Sequence, residues 1–204
     1  MHRRRRSLIA LVGVAFVAAT GANGSAQAQS SGSSDLGTQF GGFHIDSAGE
    51  GMTFTYNSPG LIPGTPAPLF AASLPASITN MDSGPSGFAL ASLVYPGPLV
   101  ADLPTVLALG GVPNANQIPS YPVRSQAFYP AGPTTASQDL GSGREIAATD
   151  ATSATASAVY GAAQLPPALN IGSVTSTSES HLEESAVVSR TRVELTGVDI
   201  ALGV

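Results

Sequence analysis

Fourteen of the sixteen prolines in this 204-residue chain fall between Pro59 and Pro133, and the other two are the adjacent pair Pro166 and Pro167. Proline lacks the backbone N–H and holds φ nearly fixed, so it interrupts helices and interior strands alike. The middle of the chain is therefore expected to hold no run of central strands and no long helix, but ordered, partly polyproline-II connections. One helix is expected within it. Residues 102–110 (DLPTVLALG) offer an N-cap aspartate, an early proline, a Leu/Val run and a terminal glycine.

Strand chemistry dominates on either side. Phe43, Ile45 and Ser47 alternate with His44 and Asp46, and Met52, Phe54 and Tyr56 alternate with Thr53 and Thr55. The glycine-containing stretch 48–51 between these runs predicts a hairpin. A second hairpin is predicted from residues 76–81 and 87–95 across Asp82-Ser83-Gly84-Pro85-Ser86. Beyond Pro133 the chain turns to Ala, Ser and Thr. Residues 146–160 (IAATDATSATASAVY) read as one long strand of small side chains, because Ser and Thr compete with helical hydrogen bonding. Residues 172–180 and 186–196 read as further strands. In the latter, Val187, Ser189, Thr191, Val193 and Leu195 share one face and Arg190, Arg192 and Glu194 the other. Val198, Ile200, Leu202 and Val204 alternate to the last residue, so this strand is either clamped in a sheet or belongs to a frame shorter than its fold. No fixed repeat is visible, which gives no support to a propeller or regular solenoid.

The start of the chain has the pattern of an export signal. Arg3 to Arg6 precede an apolar run from Leu8 to Ala19, and Ala26-Gln27-Ala28 supplies an Ala-x-Ala cleavage site. The run is too short to span a bilayer as a helix. Arg5-Arg6-Ser7-Leu8-Ile9 also fits a twin-arginine pattern, which leaves general and folded-state export both open. The expected organisation is a signal peptide over 1–28, a flexible Ser/Gly-rich leader over 29–39 and a single β-rich domain over 40–204.

Removal of residues 1–28 leaves four arginines, no lysine and all thirteen carboxylates, a net charge of −9. That balance argues against nucleic acid and anionic lipid, both of which are bound through clustered cations. No integral membrane segment is expected after cleavage. The chain has no cysteine, so disulfides, thiolate catalysis and Cys-based zinc sites are excluded. Val, Leu, Ile and Phe make up about 23% of residues 29–204, close to the floor for a stably folded chain, and a thin core is expected.

The catalytic inventory is poor. Residues 29–204 contain only two histidines, His44 and His181, and Gly84-Pro85-Ser86-Gly87 departs from the Gly-x-Ser-x-Gly elbow. Walker, Rossmann and EF-hand signatures are absent, and no cofactor is expected. His44 and Asp46 share a strand face, as do Glu179, His181 and Glu183, so together they form a candidate oxygen and imidazole metal site. The ordinary alternative is a solvated acidic loop. Tyr95, Tyr121 and Tyr129 each precede a proline, and a ring beside a proline presents a stiff amphipathic face for stacking on a sugar or partner. The ordinary alternative is packing over the edge of a thin core.

The resulting expectation is an all-β protein of antiparallel sheets, a sandwich or elongated roll, with Pro-rich loops and one short helix. Its expected role is a secreted, non-catalytic structural or interaction protein of the cell exterior, with a cell-envelope polymer or protein as partner. The alternatives are a carbohydrate-binding module using the Tyr-Pro loops and a small metal-dependent hydrolase.

Overall fold

The computed structural model describes residues 26–27, 42–56, 70–165, 169–184 and 186–200. The leader over 29–39, nearly all of the signal segment and residues 201–204 lie outside these. The strands are β1 (Ala26–Gln27), β2 (His44–Tyr56), β3 (Phe70–Asp82), β4 (Ser86–Ser92), β5 (Ser125–Tyr129), β6 (Thr135–Asp139), β7 (Gly143–Thr149), β8 (Ser153–Leu165), β9 (Leu169–Leu182), β10 (Ala186–Thr196) and β11 (Asp199–Ile200). Between β4 and β5 come a helical turn α1 (Pro98–Ala101), a helix α2 (Leu103–Leu109) and a 3-10 turn (Ala115–Gln117). Sheet A has the order β2-β3-β4-β5, and sheet B the order β1-β10-β9-β8-β7-β6, with β11 beside β9. All pairings are antiparallel. The sheets stack face to face, β2 over β9 and β10, β3 over β8 and β9, and β4 and β5 over β7. The fold is thus the expected all-β antiparallel architecture, in its sandwich form.

The interior is built from small residues. Ser77 Oγ lies 2.8 Å from Ser176 Oγ and 2.9 Å from Ser178 Oγ, and Thr79 Oγ1 lies 2.9 Å from Ser180 Oγ. Ser176 and Ser178 donate across the gap to the backbone carbonyls of Gly49 and Ser77, at 2.8 and 3.0 Å. A serine side chain reaches from one sheet to the backbone of the other, so the layers lie closer than the roughly 10 Å typical of sandwiches with larger fillings. Every hydroxyl in this ladder has a partner, which removes the penalty of burying it. Beside it Ala89, Ala91, Leu93, Ala127, Ala147, Ala156 and Ala158 form the largest apolar cluster. The Ser/Thr/Ala strands therefore line a tight interior on one face.

Two sequence expectations are overturned near Gly51. Residues 48–51 form no hairpin turn, because β2 runs unbroken from His44 to Tyr56 against β3. The two alternating runs are out of phase because the strand changes face: Ser47 and Gly49 meet sheet B at one end, and Met52 and Phe54 pack with Ile171 and Val174 at the other. The change occurs at Gly51, where an added Cβ would meet Val174, Pro75 and the Leu74 carbonyl at less than 3.0 Å. The second correction concerns proline. β3 and β4 are the central strands of sheet A, and buried Pro75 lies inside β3. The ladder steps over it on both sides: Glu50↔Ala76 and Met52↔Leu74 flank it toward β2, and Ala76↔Ser92 and Ser73↔Tyr95 toward β4. A missing N–H is tolerated where no ladder bond is made.

The hairpin across residues 82–86 and the strands predicted over 172–180 and 186–196 are present as β3–β4, β9 and β10. The long strand predicted over 146–160 is instead two. Asp150 Oδ1 accepts from the N–H groups of Thr152 and Ser153 at 2.7 and 2.8 Å, an Asx turn that reverses the chain between β7 and β8.

Candidate functional site

The connection from β4 to β5 leaves sheet A as an excursion pinned at its neck. Arg124 and Asp102 form an ion pair at 2.6 Å, Ser92 Oγ donates to the carbonyls of Val94 and Val123 at 2.8 and 2.6 Å, and the Tyr121 hydroxyl donates to Val94 O at 2.6 Å. α2 spans Leu103–Leu109 as expected, but the Asp102 side chain makes no cap hydrogen bond and serves Arg124 instead. No residue of α2 is buried.

The outer part of this excursion is apolar and open to solvent. Val100, Leu103, Val106, Leu109, Val112 and Ile118 are all exposed, Leu109 at 85%, and no charged residue stands between Asp102 and Arg124. Six of the ten exposed large hydrophobics among the described residues therefore belong to one segment of about twenty residues. Single exposed apolar side chains are ordinary, whereas a concentration of them on one charge-free segment is not. The Leu/Val run and the absence of charge are both legible in the sequence, but local pattern there indicates a helix and no role.

The three candidate tyrosines occupy different environments. Tyr95 is buried with Ala76, Leu90 and Ala101 on the outer face of sheet A, and its backbone pairs with Ser73 through two 2.8 Å hydrogen bonds. Tyr121 packs half-buried against the same cluster. Burial pushes both phenols above their ordinary pKa. These two rings clamp the neck of the excursion. Tyr129 ends β5 opposite Gly87 and is half-buried, followed by a cis bond to Pro130.

The five candidate metal ligands fall on opposite sides of the sandwich. Ser47 and Thr79 point inward, so His44 and Asp46 lie on the outer face of sheet A. Ser178 and Ser180 point inward from β9, so Glu179 and His181 lie on the outer face of sheet B, with Glu183 just beyond the strand. His44 Nδ1 is 2.5 Å from Asp82 Oδ1 and its Nε2 is 2.8 Å from Asp46 Oδ2. Asp46 also accepts from Asn80 Nδ2 at 2.6 Å. Hydrogen bonds to Asp82 and then Asp46 hold the imidazole above its ordinary pKa, and the Asp82 carboxyl is correspondingly lowered. The two carboxylates thus favour the protonated form of His44, and protonation competes with metal ligation there. His181 Nε2 is 3.0 Å from Glu183 Oε1 and Nδ1 is 3.2 Å from Glu179 Oε1. Among the described residues, no group of three or more His, Asp or Glu side chains is arranged to hold a metal ion.

One titratable group lies in the interior. Glu145 on β7 is fully buried between the sheets; its Oε1 accepts from Leu93 N–H at 2.7 Å, and Ser125 Oγ lies 3.4 Å from Oε2. Desolvation pushes its pKa up, against the two donors. The neighbouring Ile146 is exposed, which inverts the orientation that hydrophobicity alone would assign. The Tyr121 phenol lies within electrostatic reach of this carboxyl, which adds to the upward push on the phenol's own pKa.

No helix among the described residues is long and apolar enough to cross a membrane. No protein-family model, no curated protein and no solved structure matches this chain.

Proposed function

We propose that the protein is a secreted, non-catalytic interaction component of the cell exterior that docks through the apolar outcrop on α2 and its flanks. The observation that carries this reading is the concentration of Val100, Leu103, Val106, Leu109, Val112 and Ile118 on one exposed, charge-free segment held at its neck by Arg124–Asp102 and Tyr121. A clamped neck preorganises the outcrop, so less conformational entropy is lost on contact. The interior supports the same reading, since serine hydroxyls tie the two layers together directly, leaving no cleft along the ladder for a substrate. The export-signal pattern over 1–28 supports the location.

Fractionation of the producing cells tests both halves. The expected result is a protein in the medium or envelope fraction whose N-terminus is Gln29, with no turnover of esters, glycosides or peptides. An intact N-terminus in the cytoplasm overturns the location. Turnover that is lost in His44→Ala or His181→Ala overturns the non-catalytic reading.

A further inference from the structure

The two sides of the sandwich are finished differently. On one side the edge strands β5 and β6 have five residues each and are joined by a short link carrying Pro130 and Pro133, with Phe128 N–H bonded to Pro133 O at 2.9 Å. On the other side the edges are β2 and β10, of 13 and 11 residues. Among the described residues, β2 pairs only with β3, and β10 pairs with β9 and, at Ala186 and Val187 alone, with β1. Long open edges normally carry lysines, prolines, bulges or inward charges that block strand addition. β10 contains no proline, glycine or lysine, and its ladder with β9 runs without a break from Val187 to Thr196.

We propose that β10 is a self-association edge, pairing antiparallel with β10 of a second copy about a twofold axis at Val193. The charge pattern selects this partner and register. With Val193 opposite the partner's Val193, Arg192 lies directly opposite the partner's Glu194, and symmetry makes the pair twice. Thr191 then faces the partner's Leu195 on the inner side. A slip of one residue on each side brings either Glu194 against Glu194 with no compensating pair, or Arg192 against Arg192, a repulsion that offsets part of the two Arg190–Glu194 pairs made there; the Val193 register alone has two attractive pairs and no repulsion. An odd slip turns every inner residue outward. Arg192 has 75% of its side chain exposed and, among the described residues, forms its ion pair with Glu194 on its own strand, so both charges lie at the open edge. Thr191 is held by Ser47 Oγ at 2.5 Å, which keeps β10 flush beneath β2 and presents both layers to the second copy. The inference does not depend on where in the cell the protein acts.

Sedimentation velocity of the full chain at micromolar concentration and low salt tests it. The expected result is a dimer that salt weakens. Arg192→Glu weakens dimerisation by roughly tenfold or more, because two attractive cross-strand pairs become repulsive. Combining Arg192→Glu with Glu194→Arg restores the dimer, a rescue that a purely structural role of either side chain does not produce. The melting temperatures of all three proteins show that each is folded. A monomeric wild type overturns the proposal, and hydrogen exchange then reads the occupant: protected β10 amides mean that another segment of the same chain covers the edge, and fast exchange means that a different partner is required. A dimer indifferent to Arg192→Glu, or not rescued by the double variant, also overturns it.

Discussion

Glu145→Gln raises the melting temperature at neutral and alkaline pH and flattens the dependence of stability on pH. The wild-type carboxyl is fully buried, with a firm donor in Leu93 N–H and a long contact to Ser125, and no arginine reaches it because Arg124 is committed to Asp102. A carboxylate offers about four acceptor sites, so its charged form is undersatisfied there. Burial therefore raises its pKa in the folded state above the ordinary 4.5. The folded protein holds this proton more tightly than the unfolded chain does. The stability that Glu145 contributes is then complete below the unfolded pKa and is lost as pH rises through the folded one. Glutamine keeps the acceptor for Leu93 and never ionises. At pH 8 the variant is expected to melt a few degrees above the wild type, and the gap is expected to close toward acid pH.

His44 has the same sign, contributing fully below its unfolded pKa of 6.5 and losing its contribution through its raised folded value. Asp82 and Asp150 have the opposite sign, contributing above 3.8 and losing their contribution in acid. These terms are common to wild type and variant and cancel in the difference. Thermal unfolding from pH 4 to 9 reads it directly; parallel curves for the two proteins would contradict the assignment.

The second large effect comes from the closeness of the sheets. Gly143 begins β7 facing inward, and a Cβ there would lie 2.9 and 3.0 Å from the Leu93 methyls and closer still to the Val159 carbonyl. Leu93 is fully buried in the alanine-rich cluster and Val159 O is backbone of the next strand, so neither has room to move. Gly143→Ala is expected to cost about 2–3 kcal/mol, roughly 5–10 °C in melting temperature. Gly84→Ala is the control. It adds the same methyl group in the β3–β4 turn, where nothing lies within 4 Å and φ is not positive, and is expected to leave stability unchanged or slightly raised. Equal losses from both substitutions would mean that the effect belongs to glycine in general and not to sheet spacing.

Much of this architecture was legible from local pattern. Arg190, Arg192 and Glu194 alternate with Thr191, Val193 and Leu195 as charged and small or apolar faces, and β10 exposes and shelters them in that order. Asp82 to Ser86 carried turn chemistry and forms the β3–β4 turn. What escaped was set by contacts far apart in the chain. A phase shift between two alternating runs looks the same whether the chain turns back or one strand changes face, and only Val174 and Pro75 beside Gly51 decide it. Asp150 is a turn-former by residue type, yet the Ala/Ser/Thr run around it hid the reversal.

The site was less legible than the fold, for the same reason. Serine at 176, 178 and 180 has no intrinsic preference for the interior, and becomes an interior residue only because Ser77, Thr79 and the Gly49 carbonyl wait opposite. Glu145 and Ile146 exchange the places that their hydrophobicity assigns, since Leu93 N–H supplies a donor on the inner side. Two of the three Tyr-Pro steps stand at the neck of the excursion, where Tyr95 and Tyr121 hold it while the aliphatic residues between them form its surface.

That surface is the centre of the account, and it is tested most directly by comparing wild type with the double variant Val106→Gln, Leu109→Gln for retention on envelope fractions of the producing cells. Both side chains are exposed and outside every buried cluster, so the two proteins are expected to melt within about 2 °C of each other. Wild type is expected to be retained and the variant released, with at least a roughly tenfold loss of bound protein for two large apolar side chains removed from one contact. Equal retention of the two proteins would contradict the assignment of the outcrop as the docking surface.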